Sequence, residues 1–148
     1  MKALITGATS GIGKSIANEL SRRGWELILT GRNEESLREL QKKLGNTEII
    51  SADLSKKEDV FRVYEFCREK NVDMLVNNAG YGIFGEFDKT DLEDEINMIN
   101  VNITALHILT KLFLRDFKRR DSGIILNVAS VAGFMTGPLL SSYYASKN

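Results

Sequence analysis

Two side chains near the end of the chain have the types and spacing of an acid–base pair. Tyr143 and Lys147 stand four residues apart in the segment Tyr-Tyr-Ala-Ser-Lys. On a helix this spacing places both side chains on one face, a turn apart. A lysine ammonium beside a phenol lowers the pKa of the phenol from about 10 toward neutral pH. The pair therefore predicts a tyrosine that transfers a proton during catalysis.

A glycine-rich segment near the N-terminus has the composition of a phosphate-binding turn, with the spacing Gly-x-x-x-Gly-x-Gly. It lies between a predicted strand and a predicted helix, where glycines let the backbone approach phosphates and the helix supplies free N–H groups. We therefore expect the pyrophosphate of a dinucleotide here, and an ordinary turn is the alternative. The expected contacts are Gly7, Thr9, Ser10, Gly11, Ile12 and Gly13.

Residues after the second and third predicted strands bear on which dinucleotide binds. The second strand ends in Gly31 and Arg32. An acidic residue here would favour NAD, whereas an arginine accommodates the 2′-phosphate of NADP, so the sequence favours NADP(H). A solvated loop arginine is the alternative. Asp53, followed by Leu54, is expected at the adenine, and a turn role for Asp53 is nearly as well supported.

The elements that must position these residues alternate between short apolar runs and helical periodicity. Strands are predicted at residues 3–5, 27–29, 49–50, 72–76 and 124–126, with helices between them and one long helix over about 90–118. Such alternation implies a doubly wound parallel sheet. Continuous apolar runs indicate helices on both faces. We expect one α/β domain over residues 1–148, with no linker or repeat.

Shorter patterns predict local features. Ser55 with Glu58, and Thr90 with Glu93, have the spacing of capping boxes that begin the third and fourth helices. The only histidine, at position 107, is expected to pack within the long helix, and the only cysteine, at position 67, in the core. Residues 81–87 are apolar enough to border a substrate cleft, and packing against a helix explains them equally well.

Composition excludes several classes of protein. Lysine and arginine number 20, as do aspartate and glutamate, so the formal net charge of zero indicates neither nucleic acid nor an anionic membrane as partner. No apolar run approaches the roughly 20 residues of a membrane span. A single cysteine forms no internal disulfide and fits a reducing compartment, so we expect a cytoplasmic protein.

Taken together, five segments resemble the short-chain dehydrogenase/reductase family, whose fold is Rossmann-like. In chain order they are the glycine-rich segment 6–13, Asn77-Asn78-Ala79-Gly80, Asn102, Ser130 and Tyr143-x-x-x-Lys147. Each is weak alone, but all five in the family's order and context are specific. The resemblance covers the whole chain, which corresponds to a little over the first half of such an enzyme.

The resemblance implies a role for each catalytic candidate. Tyr143 would be the acid in carbonyl reduction and the base in alcohol oxidation, and Lys147 would bind the nicotinamide ribose and favour the tyrosinate. Ser130 would hydrogen-bond the substrate oxygen. Asn102 would hold a water that links Lys147 to solvent. A turn serine and a bridging asparagine in a kinked helix are the structural alternatives for Ser130 and Asn102.

The resemblance also implies the ligands. Asn78, Ala79 and Gly80 would line the adenosine ribose, and the cofactor would be NADP(H). The substrate would be a small carbonyl compound or alcohol, and no metal is required because hydride transfer belongs to the cofactor. Family members often pair through the long helix and the Tyr–Lys helix, so the resemblance offers a homo-oligomer through the long helix and leaves the oligomeric state open.

The family pattern continues beyond the Tyr–Lys helix with further strands. Residues 141–148 offer about two helical turns, and the fifth strand would have an open edge. We therefore expect a chain truncated after the fifth strand and the start of the next helix, which binds NADP(H) weakly and is inactive as it stands. The alternative is a non-catalytic nucleotide-sensing or scaffold protein. A methyltransferase on a similar sheet would have no use for Tyr143 and Lys147.

Overall fold

The computed structural model describes residues 1–148 as one parallel sheet flanked by helices. The strands are β1 (Lys2–Thr6), β2 (Glu26–Gly31), β3 (Thr47–Ser51), β4 (Met74–Asn77) and β5 (Ile124–Asn127). Their order across the sheet is β3-β2-β1-β4-β5, and every neighbouring pair is parallel. The predicted doubly wound α/β sheet is confirmed.

Helices connect the strands and follow the last one. They are α1 (Gly11–Arg22), α2 (Glu34–Leu44), α3 (Lys57–Cys67), α4 (Leu92–Ile99), α5 (Leu106–Arg120) and α6 (Ser141–Lys147). A π-helical segment, Asn100–Ala105, joins α4 directly to α5, and we call residues 92–120 the long helix. A 3-10 turn, Val131–Gly133, follows β5. The prediction of one regular α-helix over about 90–118 is therefore wrong in the middle of the long helix, where the π-helical segment lies.

Each face of the sheet has its own core. One core joins α1 and α2 to strand residues such as Ala3, Ile5 and Leu29. The other joins α3 and α5 to the residues that alternate with them, such as Leu4 and Ile28. Side chains of a strand point to opposite faces in turn, so burial of both faces requires continuous apolar runs. This is why β1 and β2 carry no polar alternation.

Neither predicted capping box forms. α3 begins after Lys56 without a side-chain cap, because the Ser55 hydroxyl donates to Asp53 Oδ1 at 2.9 Å instead. α4 is capped by Asp91, and the Thr90 hydroxyl bonds a glutamate side chain farther along the helix. In both places a neighbouring carboxylate competes for the hydroxyl that the pattern assigns to the helix.

The lone cysteine and the lone histidine differ in their outcomes. Cys67 is buried in the core, as predicted, and burial raises the pKa of its thiol to about 12. His107 is exposed on the long helix, so the prediction that it packs inside is wrong. Residue 107 stands two residues from both Ala105 and Leu109, which contact the core, so the helical period places it on the opposite face of the long helix.

The strand order reverses between β1 and β4, which creates a crevice at their carboxyl ends. Open parallel sheets bind ligands at such a switch point. β5 pairs only with β4, and the open edge expected for it is confirmed. No helix has the length and apolar character needed to cross a bilayer. No cluster of His, Cys, Asp and Glu side chains is arranged to hold a metal ion.

Candidate active site

A cleft of about 510 Å³ lies at this crevice. Most of the residues singled out from the sequence line it: Gly7, Thr9, Ser10, Gly11, Ile12, Arg32, Asp53, Leu54, Asn78, Ala79, Gly80, Tyr143 and Lys147. Three predicted residues, Gly13, Asn102 and Ser130, do not line it and act from behind or beside it. The fold therefore brings distant segments to one surface.

The turn after β1 depends on its glycines. Gly7 has φ +62° and Gly11 has φ +49°, conformations that residues with a β-carbon rarely adopt. A β-carbon on Gly7 would also stand 2.9 Å from the Cα of Ala79. Gly13 is buried, and a β-carbon there would overlap the Asn78 amide and the Gly7 carbonyl oxygen. Gly13 thus allows α1 to pack closely on the turn.

Asn78 braces this turn with its side chain. Its Nδ2 donates to the carbonyl oxygens of Thr6 and Gly7 at 2.9 and 3.0 Å. The Thr6 hydroxyl in turn accepts the N–H groups of Asn78 and Ala79 at 2.9 and 3.0 Å and donates to the Val76 carbonyl at 3.2 Å. The resemblance implied a ribose contact for Asn78. The residue lines the cleft, but its amide is committed to the backbone.

Thr9, Gly31 and Arg32 border one end of the cleft. A β-carbon on Gly31 would stand 3.3 Å from Thr9 Cγ2, so the glycine leaves room beside the threonine. Arg32 is exposed. A carboxylate at position 31 would crowd Thr9, whereas the present residues combine open space with a cation. This arrangement suits a phosphate at the end of the cleft.

Asp53 has the turn role that the sequence left open, and its contact to the adenine stays a prediction. Its Oδ1 accepts the N–H and the hydroxyl of Ser55 at 3.1 and 2.9 Å, which is an Asx turn. Its own N–H donates to Asp59 Oδ2 at 2.7 Å, and this hydrogen bond holds the pKa of the Asp59 carboxyl below its usual value. Asp53 and the buried Leu54 nonetheless line the cleft.

Tyr143 and Ser130 meet although they belong to different elements. The Tyr143 phenol on α6 donates to Ser130 Oγ at 3.2 Å. Ser130 Oγ also accepts the N–H of Ala132 at 3.2 Å and so caps the 3-10 turn. The turn role of Ser130 is therefore observed as well. Since its oxygen accepts both bonds, the Ser130 O–H stays available to donate.

Lys147 lies one helical turn beyond Tyr143 and lines the same cleft. Its Nζ is 6.0 Å from the centre of the Tyr143 ring. A β-carbon on Gly80 would stand 3.2 Å from that nitrogen and 3.1 Å from Asn102 Oδ1. Because glycine has no side chain, position 80 leaves the space that the Lys147 ammonium occupies.

Asn102 lies in the π-helical segment and is only 4% exposed. Its Oδ1 accepts the Tyr81 N–H at 3.1 Å, and its Nδ2 donates to the Tyr81 carbonyl at 2.9 Å. The same Nδ2 donates to Ser146 Oγ at 2.9 Å. The bridging alternative is thus observed, and the water-holding role stays a prediction. A π-helical turn within a helix frequently marks a functional site.

Sequence reasoning named residues 81–87 as a segment that could border a cleft, but it missed the contacts that three residues make at this site. Tyr81 lines the cleft, and partial burial raises the pKa of its phenol while the charge of Arg32 opposes the shift. Ser146 bonds Asn102, and Gly82 lies against the Tyr143 ring. A usable signal was present, because Gly-Tyr-Gly at residues 80–82 follows the Asn-Asn-Ala segment and Ser146 directly precedes Lys147.

The fold and the cleft define a Rossmann-like α/β protein with a glycine-rich turn at its switch point. A family model described as short chain dehydrogenase matches residues 1–148, and the chain belongs to this family of oxidoreductases. The family resemblance inferred from the sequence is confirmed.

Individual relatives match the chain over almost its whole length. It is 39% identical to the very-long-chain 3-oxoacyl-CoA reductase of Anas platyrhynchos, over 98% of this chain and 50% of that protein. A short-chain dehydrogenase from Sphingobium yanoikuyae in complex with NADPH matches with a TM-score of 0.94 and 35% identity, over 99% of this chain and 60% of that one. The bulky-bulky ketone specific alcohol dehydrogenase from Comamonas testosteroni matches with a TM-score of 0.94 and 32% identity, over 99% and 61%. The chain spans about half the length of the curated relatives it matches.

Proposed function

We propose that the protein is an NADP(H)-dependent oxidoreductase that transfers a hydride between the cofactor and a carbonyl compound or secondary alcohol. One observation carries the proposal: the Tyr143 phenol donates a hydrogen bond to Ser130, and Lys147 lies on the same helix as Tyr143 and lines the same cleft. Membership of the short-chain dehydrogenase family supports it. The NADPH complex of the Sphingobium yanoikuyae relative supports the choice of cofactor.

The residues of the cleft fit such a cofactor. The turn from Gly7 to Gly11 and the first N–H groups of α1 would hold the pyrophosphate, because these N–H groups have no partner within the helix. Thr9 and Arg32 would hold the 2′-phosphate, and Asp53 would lie near the adenine. When bound, the cofactor supplies or accepts the hydride.

The chain's own residues manage the proton and the charge. In reduction, the Tyr143 phenol gives its proton to the carbonyl oxygen, and in oxidation it accepts the proton of the alcohol. The free Ser130 O–H donates to the same oxygen and stabilises its developing negative charge. The Lys147 ammonium, whose nitrogen is 6.0 Å from the ring centre, stabilises the phenolate that results. Asn102 would hold the water through which the proton is replaced.

The surface beside the reacting pair supports a substrate with apolar flanks. Residues 82–87 begin with Gly82 against the Tyr143 ring, and residues 131–140 join Ser130 to α6. These two segments meet, because the N–H of Gly85 donates to the Leu139 carbonyl at 2.8 Å. Their large exposed apolar side chains are Phe84, Phe87, Val131, Phe134, Met135 and Leu139. The printed names of two relatives, a very-long-chain 3-oxoacyl-CoA reductase and a bulky ketone dehydrogenase, agree with such a substrate. We therefore infer a ketone or secondary alcohol that carries bulky apolar groups.

Self-association through the long helix is part of the proposal. Ile96, Ile99 and Ile103 are exposed along it. Three large apolar side chains on one helix are unusual for a free surface and support a contact with a second copy. The cytoplasmic location stays a prediction from the sequence.

The test uses the protein expressed from its complete gene. NADPH binding is titrated by fluorescence, and turnover is then measured on a panel of apolar ketones. We expect Tyr143→Phe to lower kcat at least about 100-fold with little change in NADPH affinity. Tyr144→Phe is the matched control, because that phenol lies against Gly137 rather than Ser130 and turnover should persist.

Each outcome decides between functions. Turnover that depends on Tyr143 but not on Tyr144 supports the oxidoreductase. NADPH binding without such turnover contradicts it and supports nucleotide sensing. Absence of NADPH binding contradicts both.

A further inference from the structure

α6 carries Tyr143 and Lys147, and it packs against the long helix and the 3-10 turn after β5. A helix packed on other elements takes its position and rotation from the contacts it makes with them. Those contacts determine whether the phenol reaches Ser130 and whether the ammonium faces the cleft. The residues that make them are therefore candidates for a positioning role.

Ser146 makes a side-chain hydrogen bond between α6 and the long helix. Its hydroxyl donates to the Tyr143 carbonyl at 2.7 Å, three residues back on the same helix. That bond turns the oxygen's lone pairs outward, and Ser146 Oγ accepts Asn102 Nδ2 at 2.9 Å. Many helical serines bond only a carbonyl oxygen of their own helix, whereas Ser146 also has a partner on another element. Ser146 thus fixes the rotation of α6 against a buried amide.

The same Asn102 amide fixes the backbone on which α6 rests. It bonds both the N–H and the carbonyl of Tyr81, at 3.1 and 2.9 Å. On either side of Tyr81 stands a glycine in contact with α6. A β-carbon on Gly80 would stand 3.2 Å from Lys147 Nζ, and one on Gly82 would stand 3.0 Å from Tyr143 Cγ.

The spacing of these two contacts matches the helix. Two residues of chain span at most about 7 Å, and four residues of α-helix rise about 6 Å. Gly80 and Gly82 can therefore lie under side chains one helical turn apart. Asn102 is the common anchor, since it holds the chain between the glycines with one pair of bonds and Ser146 with another.

We propose that Ser146 is a positioning residue that acts through Asn102 and sets α6 so that Tyr143 lies on Gly82 and Lys147 on Gly80. The inference goes beyond the proposed function, which assigns no role to Ser146, and rests on that function only for its cofactor readout. Without the Ser146 hydroxyl, α6 keeps its sequence but loses the bond that orients it.

The first experiment needs no ligand. Amide hydrogen exchange by mass spectrometry is compared for the wild type, Ser146→Ala, Ser146→Thr and the control Ser142→Ala. Ser142 lies on the same helix and makes no side-chain hydrogen bond. We expect Ser146→Ala to speed exchange of the peptide covering residues 141–148 about tenfold, the effect of losing one hydrogen bond to a buried partner. The exchange rates of peptides from the sheet should not change, and Ser146→Thr should restore the slow exchange of residues 141–148.

The second experiment separates orientation from folding. NADPH is compared with adenosine 2′,5′-bisphosphate, which lacks the nicotinamide half of the cofactor. We expect Ser146→Ala to weaken NADPH binding about tenfold while leaving bisphosphate binding unchanged, because Lys147 on α6 would hold the nicotinamide ribose, which the bisphosphate lacks. Ser146→Thr should recover the NADPH affinity, and Ser142→Ala should not alter it.

The outcomes distinguish this inference from the proposed function. Unchanged exchange in Ser146→Ala, or an equal change in Ser142→Ala, overturns the positioning role. Equal losses for both ligands also overturn it. Faster exchange together with a wild type that binds neither ligand supports the docking of α6 by Ser146 and contradicts the proposed function instead.

Discussion

Gly13→Ala tests how tightly α1 packs on the turn after β1. A β-carbon at this position would overlap the Asn78 amide nitrogen and the Gly7 carbonyl oxygen. The Gly7 oxygen belongs to the backbone of a turn held at positive φ, so it cannot swing away as a flexible side chain would. The added methyl group must therefore displace Asn78, the turn or both.

The magnitude follows from the contacts that would be lost. Asn78 donates to the carbonyl oxygens of Thr6 and Gly7 at 2.9 and 3.0 Å. Losing both bonds costs about 2 kcal/mol, and overpacking adds about 2 kcal/mol. The higher helix propensity of alanine offsets about 1 kcal/mol. We expect Gly13→Ala to lower the free energy of unfolding by about 3 kcal/mol and to abolish NADPH binding.

Urea unfolding followed by circular dichroism measures this loss. Ser15→Ala is the control on the exposed side of α1 and should change stability by no more than about 0.5 kcal/mol. The double variant Gly13→Ala/Asn78→Ala should cost about 2 kcal/mol less than the sum of the single variants, because the two hydrogen bonds of Asn78 are lost in each single variant but only once in the double variant. A loss below about 1 kcal/mol for Gly13→Ala, or strict additivity with Asn78→Ala, would refute the reasoning.

Three further predictions test other parts of the molecule. Arg32→Glu should weaken NADPH binding about 100-fold and NADH binding at most about twofold in a fluorescence titration, since only NADPH carries the 2′-phosphate; equal losses would contradict the assignment. Burial raises the pKa of the Cys67 thiol from 9.0 to about 12, so the folded state holds this proton more tightly than the unfolded state. The resulting stability is complete below about pH 9 and is lost as the pH rises toward 12, at about 1.4 kcal/mol per pH unit. Urea unfolding of the wild type and of Cys67→Ala at several pH values measures this loss. If the free energies of unfolding of the two proteins change in parallel with pH, the prediction is contradicted. Ile99→Glu on the long helix should convert an oligomer to a monomer in light scattering, whereas Phe61→Glu on α3 should not, and a monomeric wild type would count against the interface.

The architecture was predictable because its causes are local. A strand covered by helices on both faces must be apolar at successive positions, and Ala3, Leu4 and Ile5 already show this in the sequence. The glycine-rich turn was predictable for a similar reason, since Gly7 and Gly11 adopt positive φ that other residues avoid. The capping boxes failed because Ser55 and Thr90 found carboxylate partners that the pattern does not consider.

The π-helical segment had no local signal. Asn102 lies in this segment, and its amide bonds Tyr81 and Ser146, which stand 21 and 44 residues away in the chain. A pattern of apolar residues reports which face of a helix is buried, but it reports neither a widened turn nor the long-range hydrogen bonds of a polar residue in it. The same limit applies to Asn78, which lines the cleft while its Nδ2 bonds the turn after β1.

By itself the sequence determined the four-residue spacing of Tyr143 and Lys147, because a helix converts that spacing into one shared face. It also determined the glycine-rich turn and the alternation of strands and helices. Only the tertiary structure decided what meets that face: Ser130 at the phenol, Gly80 and Gly82 beneath α6, and Ser146 bonded to Asn102. These contacts join segments that are far apart in the chain, and their geometry depends on how the whole sheet packs its helices.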